Sequence, residues 1–268
     1  MHVRREDGLF GLMVFGVALA LVACQANSSA SDRKAAGEPI TVAAAADLQF
    51  AFAEIGRLFQ AETGRKVVFT FGSTGTLAKQ IENGAPIDVF AAANVQYVDD
   101  LRAKGMIISD SQQLYAIGRI VLASNRKSGV AVRNLGDLAR PEVRKIAIAS
   151  PEHAPYGAAA KQALEAAGLW EQVKSKLVFG ENISQALQYV QTGNAEAGII
   201  ALSVANVPEI EYLLIDDSLH KPLKQALAVV SSTKQEETSR EFIAFINGPK
   251  GRTIMKKYGL LLPGEFAQ

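Results

Sequence analysis

The 268 residues carry 28 Lys+Arg against 27 Asp+Glu, a formal net charge of +1, and one cysteine. That balance excludes the strong basic excess of a nucleic-acid binder, and a lone cysteine excludes an intramolecular disulfide. No second low-complexity break follows the N-terminal region, so about 230 residues remain for one large or two modest lobes.

Arg4 and Arg5 precede an uncharged, mostly apolar run from Leu9 to Cys24. The run is shorter than the roughly 20 residues that a spanning helix needs. A basic start, a compact apolar stretch and small residues at its end predict a secretory signal over residues 1–23; a retained membrane anchor is the other reading. Cys24 directly follows Leu21-Val22-Ala23, which resembles the lipobox of bacterial lipoproteins and implies lipidation at Cys24. The alternative is an ordinary small residue near a conventional cleavage site after Ala26 or Ala30. Residues 24–38, rich in Ala, Ser and charge, read as a flexible leader. Loss of residues 1–23 leaves the net charge at +1, so an anionic ligand must be held by local donors.

The rest alternates strands with amphipathic helices. Ile40–Ala45 is a short apolar strand. Leu48, Phe52, Ile55 and Phe59 recur at helical spacing and predict a helix over 48–62, ended at Thr63-Gly64. Lys66–Phe71 is β-branched and aromatic, hence a strand. Gly72–Gly75 breaks the pattern, a helix runs from Thr76 to Asn83, and Ile87–Phe90 is the next strand. This βαβαβ order predicts a parallel sheet flanked by helices. After a middle segment, strands are expected at 119–123, 145–149, 197–200 and 226–230. Helices are expected at 156–167, 184–192, 234–247 and 250–257. Repeats are absent.

Four helix starts carry small or polar residues. Asp47 suits an N-cap, with free N–H groups behind it that form a natural anion site. Gly72-Ser73-Thr74-Gly75 offers two hydroxyls and backbone donors at a strand-to-helix junction, and lacks the Gly-Lys-Ser/Thr of a phosphate-binding P-loop. Pro151–Gly157 brings Tyr156 and His153 to a third helix start. Asn182-Ile183-Ser184 opens a fourth, with the Ile183 amide as donor. A Ser–His–Asp hydrolase built on His153 or His220 lacks a Gly-x-Ser-x-Gly elbow, and His153 reads as a surface residue. No Cys/His cluster or acidic calcium loop marks a metal site. The pattern suits capture rather than catalysis, and from these residues alone it equally fits a set of plain helix caps.

Three stretches together carry a family resemblance. Ala43–Leu48, Phe71–Ile81 and Gly84–Phe90 are similar to the N-terminal lobe of molybdate-binding periplasmic proteins. Pro151–Gly157 resembles the facing loop of their second lobe, and Lys256–Leu260 their closing helix and tail, so the similarity runs in order over residues 39–262. The resemblance implies a type II periplasmic-binding-protein fold: two α/β lobes, 39–117 plus 226–268 and 118–225, joined by two crossing segments with the ligand in the cleft. It implies a non-enzymatic, monomeric receptor in the periplasm or cell envelope. Such a receptor captures molybdate or tungstate by lobe closure, uses no cofactor, and delivers to an ABC permease in the inner membrane. Another small oxyanion or an organic acid is the alternative ligand. The metal would be held only as its oxyanion, by neutral donors at Ala46, Asp47, Ser73, Thr74, Tyr156 and Ile183.

Two positions depart from the family pattern. Asp47 stands where many members have serine. A carboxylate about 4 Å from an anionic charge costs roughly 4 kcal/mol at an effective dielectric of 20, so Asp47 is expected to cap its helix and turn its oxygens from the ligand; the alternative is a ligand that carries a proton for Asp47 to accept. Ala201 stands where several members place a ligand tyrosine, and Tyr156 is expected to substitute from the other loop.

Overall fold

The computed structural model describes residues 38–265; the expected signal segment, Cys24 and all of the leader but its last residue lie outside them. Strands β1 (Ile40–Ala45), β2 (Val67–Gly72), β3 (Val89–Ala92), β4 (Gln113–Gly118) and β10 (Leu223–Val229) form one sheet in the order β2-β1-β3-β10-β4. Strands β5 (Ile120–Asn125), β6 (Ile146–Ala149), β7 (Leu177–Gly180), β8 (Ala197–Ala201) and β9 (Ile210–Leu214) form a second, in the order β7-β6-β8-β5-β9. The chain passes between the sheets twice, at Gly118-Arg119 and through 215–222.

The expected parallel pairing holds for β1 with both β2 and β3. It fails for β10, which runs antiparallel to β3 and β4. A strand that arrives from the other sheet enters from the far end, so its direction is reversed. β10 also begins at Leu223, three residues before the expected start, and those residues pair with β4.

β1 is buried along almost its whole length, because helices cover both faces of a parallel sheet and every position must then be apolar or small. Helix α1 (Gln49–Thr63) lays Phe52, Ile55 and Phe59 against it and stops at Gly64 in the left-handed conformation, φ 72°. Helix α2 (Thr74–Glu82) begins two residues before the expected start, with Ser73 as its N-cap. Thr74 and Gly75 are therefore helical, where a loop was expected. Helices α3 (Val95–Ala103), α4 (Pro155–Ala166), α5 (Trp170–Val173), α6 (Ile183–Gln191), α7 (Glu236–Asn247) and α8 (Pro249–Lys257) complete the layers. Sequence periodicity did not mark α3, α5, β4, β7 or β9. α5 and β7 have four residues each, and β9 is largely exposed, with no clean alternation.

The first lobe's core is aromatic. Phe242 of α7 meets Phe52 edge-on at 6.2 Å and Phe59 at 5.2 Å between ring centroids, and Phe69 at 6.0 Å. It ties the C-terminal helix to α1 and β2. The tail follows: Ile117 N donates to Leu261 O at 2.8 Å and Leu261 N to Ile117 O at 3.1 Å, which braces β4 beside the first crossing. Among the described residues no helix is long and apolar enough to cross a membrane.

Phe242 is fully buried. Truncation to alanine removes a large ring from a close-packed cluster, so Phe242→Ala is expected to lower unfolding free energy by about 3–5 kcal/mol. Urea denaturation followed by circular dichroism measures this.

Candidate functional site

The facing ends of the two sheets bring four helix starts together. Ala45 pairs with Gly72 across β1 and β2, so Ala46 and Ser73 leave adjacent strands side by side. From the other lobe, Ser184 Oγ, one residue into α6 after Ile183, donates to Ala46 O at 3.1 Å. Tyr156, at the start of α4, donates its hydroxyl to Asp47 Oδ2 at 2.9 Å. Ala46, Asp47, Ser73, Thr74, Tyr156 and Ile183 are each no more than 3% exposed, so the six positions are enclosed rather than spread over the surface. Amides in the first turn of a helix have no intrahelical acceptor and carry its positive end. These residues supply such amides from both lobes.

The hydroxyls at the second junction have structural partners. Ser73 Oγ accepts from Thr76 N at 3.3 Å and lies 2.7 Å from Thr76 Oγ1. Thr74 Oγ1 accepts from Ala93 N at 3.1 Å. His153 is not the surface residue expected: it is half-buried, its Nδ1 lies 2.9 Å from Ser73 Oγ, and its carbonyl accepts from Gly75 N at 2.9 Å. A Ser–His contact of this length is what a hydrolase needs first. Here the serine is occupied as a helix cap, and among the described residues no carboxylate bonds to His153. Gly75 is required at this contact, because a Cβ there would stand 2.9 Å from both His153 Cβ and His153 O.

Asp47 corrects the capping expectation. It lies inside the 3-10 turn Ala46–Leu48, whose N-cap is Ala45, and neither that turn nor α1 has a side-chain cap. Its carboxylate instead turns toward the second lobe. Oδ2 accepts from Tyr156 and from Gln225 Nε2, each at 2.9 Å, and Gln225 Nε2 also lies 2.9 Å from the Tyr156 hydroxyl. Asp47 O accepts from Ser203 Oγ at 2.8 Å. The single phenolic proton of Tyr156 is thus directed at Asp47, so the group Tyr156 leaves for an anion is its amide. Gly118, at the first crossing, permits the cluster: a Cβ there would fall 2.1 Å from the Tyr156 hydroxyl and 2.8 Å from Gln225 Nε2.

Burial pushes Asp47 up to about 6, against hydrogen bonds from Gln225 and Tyr156 that hold it lower. Burial, with the nearby Asp47 charge, keeps Tyr156 and Tyr115 well above the usual phenol range. Gln225, Ser203, Ser184 and Tyr115 were not among the residues that sequence reasoning selected. Gln225 lay just outside the expected strand 226–230, beside Lys224, and carried no sequence signal; in the structure it sits where the β10–β4 register shifts between Gln225 and Ala226.

Comparison with known proteins gives one consistent set of relatives. The family described as bacterial extracellular solute-binding protein matches residues 40–261. The molybdate-binding protein ModA of Azotobacter vinelandii is 36% identical over 259 residues, which cover 92% of this chain and 96% of that protein. A putative ABC transporter substrate-binding lipoprotein of Bacillus subtilis is 32% identical, over 90% of this chain and 93% of its own. The solved periplasmic molybdate-binding protein of Azotobacter vinelandii superposes with a TM-score of 0.79 at 30% identity, covering 84% of this chain and 99% of that one.

The raised Asp47 carboxyl sets a stability slope. The folded protein holds its proton up to about pH 6, whereas the unfolded chain releases it near 3.8, the ordinary carboxylate value. Stability from this group is therefore present below about pH 4 and is lost as pH rises through 6. Asp47→Asn keeps an oxygen acceptor without the charge and is expected to raise stability at pH 7.5 by roughly 2–3 kcal/mol. It is also expected to remove that group's downward slope between about pH 4 and 6. Thermal and urea melts across pH read both effects.

Proposed function

The chain belongs to the bacterial extracellular solute-binding protein family, and from that premise we propose that it is an exported receptor capturing molybdate or tungstate for an ABC-type importer. Its fold is the type II periplasmic-binding arrangement. What supports the reading is that helix starts of the two lobes meet, Tyr156 on Asp47 and Ser184 on Ala46, with Ala46, Asp47, Ser73 and Thr74 buried on one side and Tyr156 and Ile183 on the other. A tetrahedral dianion with oxygens in several directions needs donors in several directions, and helix starts supply them without a countercharge.

The lobes close by rotation about the two crossings, and closure completes the donor shell and expels water. The contacts of His153 with Ser73 and Gly75, and of Ser184 with Ala46, are the latches of the closed form. The closed surfaces then present the solute to a permease. In this reading the protein acts as a monomer, without catalysis and without a cofactor. Lipidation at Cys24 tethers it to the envelope, in keeping with the name of the Bacillus subtilis relative. A small oxyanion that carries a proton, or a small organic acid, is the second reading, favoured by the Asp47 carboxylate, which can accept a ligand's proton but is repelled by an unprotonated dianion.

Titration calorimetry with molybdate, tungstate, sulfate and phosphate tests the ligand; absence of heat with molybdate and tungstate at micromolar protein rejects the proposal. The latch is tested at Gly75. Alanine there is favoured by helix propensity by about 1 kcal/mol, yet its Cβ collides with His153 in the closed form. Gly75→Ala is thus expected to keep or raise the melting temperature while weakening oxyanion binding at least tenfold, about 1.4 kcal/mol.

A further inference from the structure

The Asp47 carboxyl is half satisfied. Oδ2 accepts two hydrogen bonds, while Oδ1 is sealed from solvent and has no hydrogen-bond partner. The groups around it come from four elements: Tyr115 from β4, Tyr156 from α4, Gln225 from β10 and Ser203 from the 3-10 turn Leu202–Val204. Both tyrosines are held neutral. Among the described residues no Lys, Arg or His side chain bonds to the carboxylate. The Gln225 amide cannot supply more, since its N–H already serves Oδ2 and its Oε1 is itself a buried acceptor without a partner. A flipped amide would set that oxygen against the carboxylate.

An ionised carboxylate with one bare oxygen in a dry site is costly, and a second negative charge within a few ångströms makes it more so. A proton on Oδ1 removes both costs. It cancels the charge, and it converts the one unsatisfied acceptor into an O–H donor that an oxyanion can accept.

We propose that this protein captures its oxyanion together with one proton, carried on Asp47 Oδ1, so that a neutral carboxylic acid donates to the bound anion. The inference rests on the oxyanion reading above. The balance is simple: the ionised carboxylate, one proton from solvent and the dianion become a carboxylic acid hydrogen-bonded to the dianion, with no bond of the anion made or broken. Burial already holds the carboxyl near 6 without a ligand, and an arriving dianion pushes it further up. Below about pH 6 the site is already protonated and affinity is level. Above it, binding takes up a proton and weakens as pH rises.

Calorimetry of the full-length protein with molybdate, at about pH 7.5 in two buffers of different ionisation enthalpy, counts the protons directly. Molybdate remains a dianion there, so its own titration does not enter. Wild type is expected to take up close to one proton per anion, and its affinity to fall about tenfold per pH unit between about pH 7 and 9. Asp47→Asn, and Asp47→Ser as a second variant that keeps a hydroxyl donor, are expected to bind without proton uptake and with a level pH profile. Wild-type binding with no proton uptake overturns the proposal and leaves molybdate capture standing. Uptake that persists in a variant removes the proton from Asp47 and also overturns it. No binding of molybdate, tungstate or sulfate by wild type at any pH from about 5.5 to 9 overturns the oxyanion reading and this inference with it.

Discussion

A carboxylate enclosed between two lobes, with neutral groups on every side, is the constraint around which the rest of the site is arranged. Asp47 draws Tyr156 across from the second lobe and Gln225 up from β10. Tyr156 in that position demands the space over Gly118. The residue proposed to offer an amide to the anion thus also joins the two lobes through its side chain. The groups that bond to the Asp47 carboxylate are neutral dipoles, so the charge of that cluster is set by whether the carboxyl is ionised.

Much of this was legible from residues. The apolar run Ile40–Ala45 and the helical spacing of Leu48, Phe52, Ile55 and Phe59 each led to the right element type, whereas the Gly-Ser-Thr-Gly break hid two helical residues, Thr74 and Gly75. Periodicity reports burial, and these elements are buried on a definite face. What escaped was of two kinds. α5 and β7 have four residues each, so a few residues had to carry the whole pattern, and β9 is largely exposed. The position of β10 between β3 and β4, with its reversed direction, depends on where a distant chain segment returns, which no local pattern records.

The site was legible as a set of helix starts and not as a network. Hydroxyl and amide groups at helix N-termini have a known physical use, which marked the four helix starts as candidates, and the family resemblance singled out Ala46, Asp47, Ser73, Thr74, Tyr156 and Ile183 among them. The destination of the Asp47 side chain could not be read in this way. A helix cap is the commonest use of aspartate at such a position, and only the approach of Tyr156 and Gln225, 109 and 178 residues away in sequence, gives it a different one. His153 escaped for the same reason: half-burial of a loop residue comes from the opposite lobe.

The strand order has a consequence for how the molecule comes into being. All five strands of the second sheet lie in one uninterrupted stretch, from Ile120 to Leu214, whereas the first sheet receives β10 between β3 and β4. As the polypeptide emerges N-terminus first, the sheet begun earliest is therefore finished last. Its open gap between β3 and β4 stays unfilled until more than a hundred further residues have appeared, and the ordering cost of closing so long a loop falls on that step. The contiguous lobe can condense while the discontinuous one waits, so the earliest half-built form of the protein exposes an unpaired strand edge that only its own C-terminal third can cover.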